Sequence, residues 1–299
     1  MTSTDPRALL REAGLRPKRS FGQNFLVAGP LAQAIAAECV HDDEVGRARV
    51  VEIGAGTGAI TRLLAARART LVAIERDREL VPLLGRELAS LGTRVVEADA
   101  QSVDLAVLLG DSDPDSPRIL CGNLPYAITG ALLRRAVEHA SHVERVIFMV
   151  QQEVADRLAA TPGTKAWGAL SVFVHTVYDV RRLLRAAPGA FYPAPEVTSA
   201  LVELVPTRPP RAAETEGFRT LVRRAFGARR KMLRNAWAGI APDTVTLERA
   251  AAQAGIALQA RGETLDVGDF ARMAVALEAL THAGAAPPVG AGEERATQS

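Results

Sequence analysis

The first half of the chain alternates short, continuously apolar runs with longer stretches whose apolar positions recur every three or four residues. The runs VVEIG (50–54), TLVAIE (70–75), RVVEA (94–98), RILCG (118–122) and RVIFMV (145–150) read as buried strands. Between them, AITRLLAARA (59–68), RELVPLLGRELASL (78–91) and ITGALLRRAVEHA (128–140) carry helical spacing. This alternation predicts a parallel sheet covered by helices on both faces. A helical stretch, GALSVFVHTV (168–177), leads to two more strands, DVRRLLR (179–185) and SALVELV (199–205). The Pro-rich PGAFYPAP (188–195) between them is too short for a crossover helix, so they are expected to pair antiparallel at the end of the sheet. The expected fold class is α/β and Rossmann-like. It has a seven-stranded, mostly parallel sheet with an antiparallel end strand, and a small all-helical C-terminal domain.

TRPPRAAETEG (207–217) reads as a linker. Beyond it FRTLVRRAFGARRKMLRNAW, TLERAAAQAG and DVGDFARMAVALEALTHA all look helical, and the closing AGAAPPVGAGEERATQS has the composition of a disordered tail. Composition changes this picture little. The chain has 299 residues, 48% hydrophobic and 23% charged, which is ordinary for a globular protein. No apolar run approaches the roughly 20 residues that span a bilayer, and the N-terminal stretch lacks an apolar signal core. A soluble, cytoplasmic protein is expected. Two cysteines, Cys39 and Cys121, are too few for a disulfide framework or a zinc site, and no metal is expected. Cys121, within an apolar run, reads as a buried strand thiol.

Candidate chemistry begins where VVEIG runs into GAGTG (54–58) and then a helix. Glycines there, Gly54 and Gly56 among them, allow a tight turn and close approach of a ligand beside a helix N-terminus. Glu75 ends the next strand, 21 residues after Gly54, where an acid accepts the ribose hydroxyls of an adenosine-containing cofactor. A dinucleotide dehydrogenase would share both features. The spacing E-x-G-x-G-x-G from Glu52, however, is the pattern of S-adenosylmethionine sites rather than the G-x-G-x-x-G of pyrophosphate binding. Asp99, in EADA (97–100), is placed to accept the cofactor's adenine amine, with a turn cap as the alternative.

The fourth strand ends in Asn123-Leu124-Pro125-Tyr126, where open α/β sheets place their ligands. The exocyclic nitrogen of adenine is a poor nucleophile because its lone pair is delocalised into the ring. Two acceptors, the Asn123 side-chain oxygen and the Leu124 carbonyl, would bind its hydrogens and favour a pyramidal, attacking nitrogen. Pro125 stiffens the turn, and Tyr126 offers a ring for base stacking. A plain Asn-Pro turn is the competing reading. Phe191, on the Pro-rich loop, would cover the other face of the base or else pack in the core.

Assembled, these residues resemble the KsgA-type ribosomal RNA small-subunit adenine dimethyltransferases. The resemblance runs from about Lys18 to Leu280. It includes KRSFGQNFL (18–26), VVEIGAGTG (50–58), AIERD (73–77), EADA (97–100), GNLPY (122–126), AFYPAPEVTSALVEL (190–204), AFGARRKMLRN (225–235) and RGETLDVGDFARMA (261–274). It implies that Asn24 and Leu26 contact S-adenosylmethionine together with Gly54, Glu75, Asp99 and Asn123. It also implies dimethylation of two adjacent adenines near the 3′ end of 16S rRNA, in the small subunit or its precursor, and a role in subunit assembly. The family reading divides the chain into a Rossmann-like methyltransferase domain with a basic N-terminal arm (1–206), a helical RNA-binding domain (207–282) and a tail (283–299), acting as a monomer. One departure is Ala127, where family members often carry Asn.

Net charge is only +2, so a case for RNA rests on clustering. The stretch 218–242 holds seven Lys/Arg and no acid, and 7–19 holds five and one acid. Arg223, Arg224, Arg229, Arg230, Lys231 and Arg234 are the expected phosphate contacts, against the alternative of a solvated helix face. Rival readings are a large-subunit rRNA adenine methyltransferase of the macrolide-resistance type, which more typically carries Ile in place of Leu124, and a mainly structural assembly factor.

Overall fold

The structure, a computed structural model, describes residues 5–283. Nine strands form among the described residues. They are β1 (Phe25–Leu26), β2 (Arg49–Ile53), β3 (Thr70–Glu75), β4 (Arg94–Glu97), β5 (Arg118–Asn123), β6 (Arg145–Gln151), β7 (Tyr178–Ala186), β8 (Phe191–Tyr192) and β9 (Ser199–Pro206). Seven of them make one sheet in the order β4-β3-β2-β5-β6-β9-β7. The pairs from β4 through β6 are parallel. β9 is antiparallel to both of its neighbours, β6 and β7, so the last strand among the described residues lies inside the sheet rather than at its rim. The remaining two strands, β1 and β8, pair antiparallel, with Leu26 opposite Phe191.

The central strands are apolar at most interior positions because helices cover both faces. Alternation along each strand sends Val51, Ile53, Leu120, Val146 and Phe148 to one core, against the helices Leu105–Leu109, Thr129–Glu138, Gln152–Leu158 and Ala169–His175. Val50, Ile119, Cys121, Ile147 and Met149 go to the other, against Gly29–Cys39 and Thr61–Ala65. Cys39 and Cys121 are both free and buried there. Gly122 is needed where β5 passes β2, since a Cβ on it would lie 2.3 Å from the Ile53 carbonyl oxygen.

The chain divides into two compact units, one reaching to Arg211 and one beginning at Ala212. The start of the Pro-rich segment is tied to the first unit: the Thr207 and Arg211 amides donate to the Val177 and Thr176 carbonyls at 2.8 and 2.7 Å. The second unit contains helices Glu216–Gly227, Leu233–Ala236, Thr244–Ala254 and Val267–Ala283 around Phe218, Trp237 and Phe270. Trp237 Nε1 donates to the Leu221 carbonyl at 3.0 Å. The stretch 218–237 reads as one helical pattern in the sequence. The structure interrupts it after Gly227, and Arg229, Arg230 and Lys231 lie on the turn before Leu233. The expected tail beyond Ala283 lies outside the described residues. Among the described residues no helix is long and apolar enough to cross a membrane.

Candidate active site

A cleft opens at the carboxyl ends of β2, β3 and β5, lined by residues 20–26 of the N-terminal segment, the glycine turn, Glu75, Asp99 and 123–128. Gly54 and Gly56 take φ values of 72° and 59°, the left-handed region that glycine enters without strain. A Cβ on Gly54 would sit 3.5 Å from the Asn123 carbonyl oxygen, so the glycine turn lies directly against the end of β5. The Gly56 amide donates to Glu75 Oε2 at 2.8 Å, and the Asp77 amide donates to Oε1 at 2.8 Å. Burial raises the Glu75 pKa while these backbone donors oppose the rise. Each oxygen keeps a lone pair for a further donor.

The N-terminal segment is fastened to the end of β3 by a polar cluster. Lys18 Nζ lies 2.7 Å from Asp77 Oδ1 and 2.9 Å from Glu79 Oε2. Gln23 Nε2 donates to Asp77 Oδ2 at 2.8 Å, and the Lys18 amide donates to Gln23 Oε1 at 2.7 Å. Burial pushes the Asp77 carboxyl up, but the Lys18 and Gln23 hydrogen bonds outweigh it and hold the pKa below the usual carboxylate range. Sequence reasoning missed Lys18, Gln23 and Asp77 as a unit. They stand 54 and 59 residues apart, and no local spacing announces their meeting.

That fastening carries Asn24 and Leu26 into the cleft wall. The Asn24 carbonyl accepts from Asn123 Nδ2 at 2.9 Å. With its donor end engaged, the Asn123 amide has Oδ1 left as an acceptor. The Leu124 amide donates to the Met149 carbonyl at 3.1 Å, and Thr129 Oγ1 donates to the Pro125 carbonyl at 3.0 Å, so the turn is held from both sides. The Tyr126 hydroxyl and Ser199 Oγ, 2.7 Å apart, share a hydrogen bond that ties the turn to the start of β9.

Asp99 lines the cleft and also caps its own turn, accepting from the Gln101 amide at 3.0 Å. Its Oδ2 lies 3.3 Å from Arg76. Phe191 is placed differently. It is 3% exposed, packs with Leu26, Ile147 and Met149 in the core, and is not part of the cleft lining. Glu52, noted in the sequence only as the start of the glycine pattern, lines the cleft floor.

In the second unit Arg223, Arg224, Arg229, Arg230, Lys231 and Arg234 are all exposed. Arg229 pairs with Glu263 at 3.2 Å and Arg234 with Glu248 at 3.6 Å. Arg224 donates to the Ala238 carbonyl at 2.7 Å.

Comparison with known proteins adds a family to this geometry. Residues 14–278 match the family model described as ribosomal RNA adenine dimethylase. The chain is 40% identical over 290 residues to ribosomal RNA small subunit methyltransferase A of Myxococcus xanthus (strain DK1622), covering 94% of this chain and 98% of that one. It is 38% identical over 278 residues to the protein of the same name from Geobacter metallireducens (strain ATCC 53774 / DSM 7210 / GS-15), covering 91% and 99%. Among solved structures it is similar in fold to a dimethyladenosine transferase from Plasmodium falciparum. There the TM-score is 0.68, with 20% identity over 86% of this chain and 98% of that one. It is also similar in fold to the 23S rRNA methyltransferase ErmE, with a TM-score of 0.63 and 24% identity over 85% of this chain and 100% of that one.

Proposed function

The chain belongs to the ribosomal RNA adenine dimethylase family, and we propose that it uses S-adenosylmethionine to dimethylate two adjacent adenines near the 3′ end of 16S rRNA. It is an rRNA adenine dimethyltransferase. The choice of the small subunit or its precursor as substrate is supported by the names of the curated relatives, which cover nearly the whole chain. Action as a monomer belongs to this reading, and the rRNA substrate supports action in the cytoplasm.

The cleft fits S-adenosylmethionine in the chemistry of its donors and acceptors. Glu75 is a caged, buried carboxylate for the ribose hydroxyls, with Asp99 beside it for the adenine amine. Gly54 and Gly56, both in the left-handed conformation, shape the turn beside it, and Asn24 and Leu26 complete the wall. When bound, the cofactor supplies an electrophilic methyl group on a sulfonium.

The protein's own part is to present the target amine. The base leaves its helix to enter the cleft. Asn123 Oδ1 and the Leu124 carbonyl accept the two amine hydrogens and draw the nitrogen out of conjugation. Tyr126 stacks on the base, a contact worth about 1–3 kcal/mol, and Pro125 fixes the turn that carries both acceptors. Asn123 is an acceptor rather than a strong base, so the rate depends on an in-line approach held by position and orientation. The exposed basic residues from Arg223 to Arg234 contact RNA phosphates.

The observation that carries this reading is the 2.9 Å hydrogen bond from Asn123 Nδ2 to the Asn24 carbonyl, which commits the amide's oxygen to the role of acceptor. The test incubates the protein with labelled cofactor and 30S subunits lacking the modification. Dimethyladenosine mapped near the 16S rRNA 3′ end is expected. Transfer to large-subunit RNA alone would overturn the assignment.

A further inference from the structure

The rim strand β7 carries Arg181, Arg182 and Arg185. A β-bulge between Arg182 and Leu184 decides where they point. In a regular strand, residues three apart face opposite sides of the sheet. The bulge adds one residue, so Arg182 pairs opposite Val202 and Arg185 opposite Ala200, two positions of β9 that share a face. Helix Gln152–Leu158 covers that face, and the two arginines line a groove there with Gln152, Asp156 and Ala200. Arg181 stays on the other face, 2.8 Å from Glu203.

The groove keeps a net positive charge. Asp156 Oδ1 accepts from Gln152 Nε2 at 2.8 Å and from Arg182 at 2.7 Å, which fixes Arg182 against the helix. Among the described residues Asp156 is the only acid in the groove lining, so it balances one arginine of the two. Glu153, on the same helix, is held by Arg157. Arg185 is exposed and has no ion pair or side-chain hydrogen bond among the described residues. The groove also opens at the cleft end of the sheet. Ala186, next to Arg185, is paired with Ser199, whose Oγ shares a hydrogen bond with the Tyr126 hydroxyl. From β5 to β7 the sheet spans three strand spacings, about 14 Å. Charge on a rim strand also discourages edge-to-edge pairing, but that role needs no bulge to gather two arginines on one face.

We propose that this groove holds phosphate of the rRNA strand beside the adenine in the cleft, with Arg185 as its main contact and Arg182, steadied by Asp156, as the second. The inference rests on the rRNA reading above and gives the first unit an anion-binding surface of its own. A base that leaves its helix brings the neighbouring phosphates to the cleft mouth. Contacts to phosphate fix register and orientation rather than sequence, so these arginines position the strand and take no part in methyl transfer.

The test uses the full chain and 30S subunits lacking the modification, with variants checked for folding by circular dichroism. Arg185→Gln is expected to flatten the log–log salt dependence of subunit binding by about 0.7–0.9, and Arg182→Gln/Arg185→Gln by up to about twice that. KM for the subunit should rise about 2–5-fold per arginine, the scale of one exposed charge pair, while kcat and S-adenosylmethionine affinity hold. Arg185→Lys keeps the charge and is expected to restore the slope. Arg86→Gln removes the same charge from helix Leu80–Leu88, which packs on the opposite rim strand β4, and should leave the slope at its wild-type value. A wild-type slope in the double variant overturns the proposal, and leaves the rRNA reading standing if the wild-type protein methylates the subunit. An equal loss of slope in Arg86→Gln makes the effect one of net charge and overturns it too. Wild-type protein that transfers no methyl group to the subunit removes both.

Discussion

Replacing Asn123 with alanine removes an acceptor from the end of β5 together with the donor that reaches the Asn24 carbonyl. The amine-binding role predicts a fall in kcat of about 100-fold or more, the scale seen when one aligned hydrogen-bonding group is lost from a reacting centre. Cofactor affinity should persist in part, because Glu75, Asp99 and the glycine turn are untouched; single-turnover kinetics beside a binding titration separates the two. Asp77 gives a second expectation at this scale. Its pKa is held below the ordinary carboxylate value by Lys18 and Gln23, so the stabilisation it contributes is complete above that ordinary value and is lost as pH falls through the lowered one. Acidification should therefore loosen the N-terminal segment before the sheet melts. Hydrogen exchange at the Gln23 and Asn24 amides, followed against pH, measures this. The legible residues of the site are those whose neighbours in sequence are also neighbours in the site, such as Asn123 to Tyr126 and the glycine turn. Lys18 and Asp77 are illegible for the opposite reason.

The pairing of β1 with β8 makes Phe191 a test between two roles. In the structure its ring is buried among Leu26, Ile147 and Met149. Phe191→Ala is therefore expected to cost about 3–5 kcal/mol of stability, as deletion of a buried aromatic ring does. Denaturant unfolding checks it, and an unchanged midpoint would instead favour a ring free to swing toward the base. At the level of elements the sequence is informative wherever burial is two-sided. β2, β3, β5 and β6 fall within a residue or two of their apolar runs. The short helix Thr61–Ala65 falls well inside its ten-residue apolar pattern, because the glycine turn that precedes it takes up part of the expected first turn. The break after Gly227 is masked for a related reason. Leu233, Ala236 and Trp237 keep a helical spacing across it and bury their side chains in the same core as Phe218. The antiparallel ending follows from the short Pro-rich connection. The position of β9 between β6 and β7 does not, since connection length constrains direction but not order.

For the molecule as a whole, affinity for RNA should fall steeply with salt, with a log–log slope that loses about 0.7–0.9 for each phosphate contact removed. Arg230 and Lys231 carry no ion pair among the described residues, whereas Arg229 and Arg234 are already engaged by Glu263 and Glu248. Changing Arg230 and Lys231 together to alanine is therefore expected to flatten the slope by about 1.4–1.8, and by more than the same change at Arg229 and Arg234. Filter binding across a salt series checks it. The two-part organisation is visible in the sequence as a change from strand–helix alternation to helices alone. The Pro-rich segment reads as a linker because its composition is that of one, although Thr207 and Arg211 within it are hydrogen-bonded to the first unit. The interior position of β9 has a consequence for the order in which the chain is made. Until residue 206 has left the ribosome, β6 and β7 have no common neighbour, and each presents an open row of unpaired amides and carbonyls. Most of the nascent protein is thus a sheet with a missing stave. Release or cleavage before Ser199 leaves a fragment inclined to pair with other chains, and the sheet is closed only by the last strand to emerge.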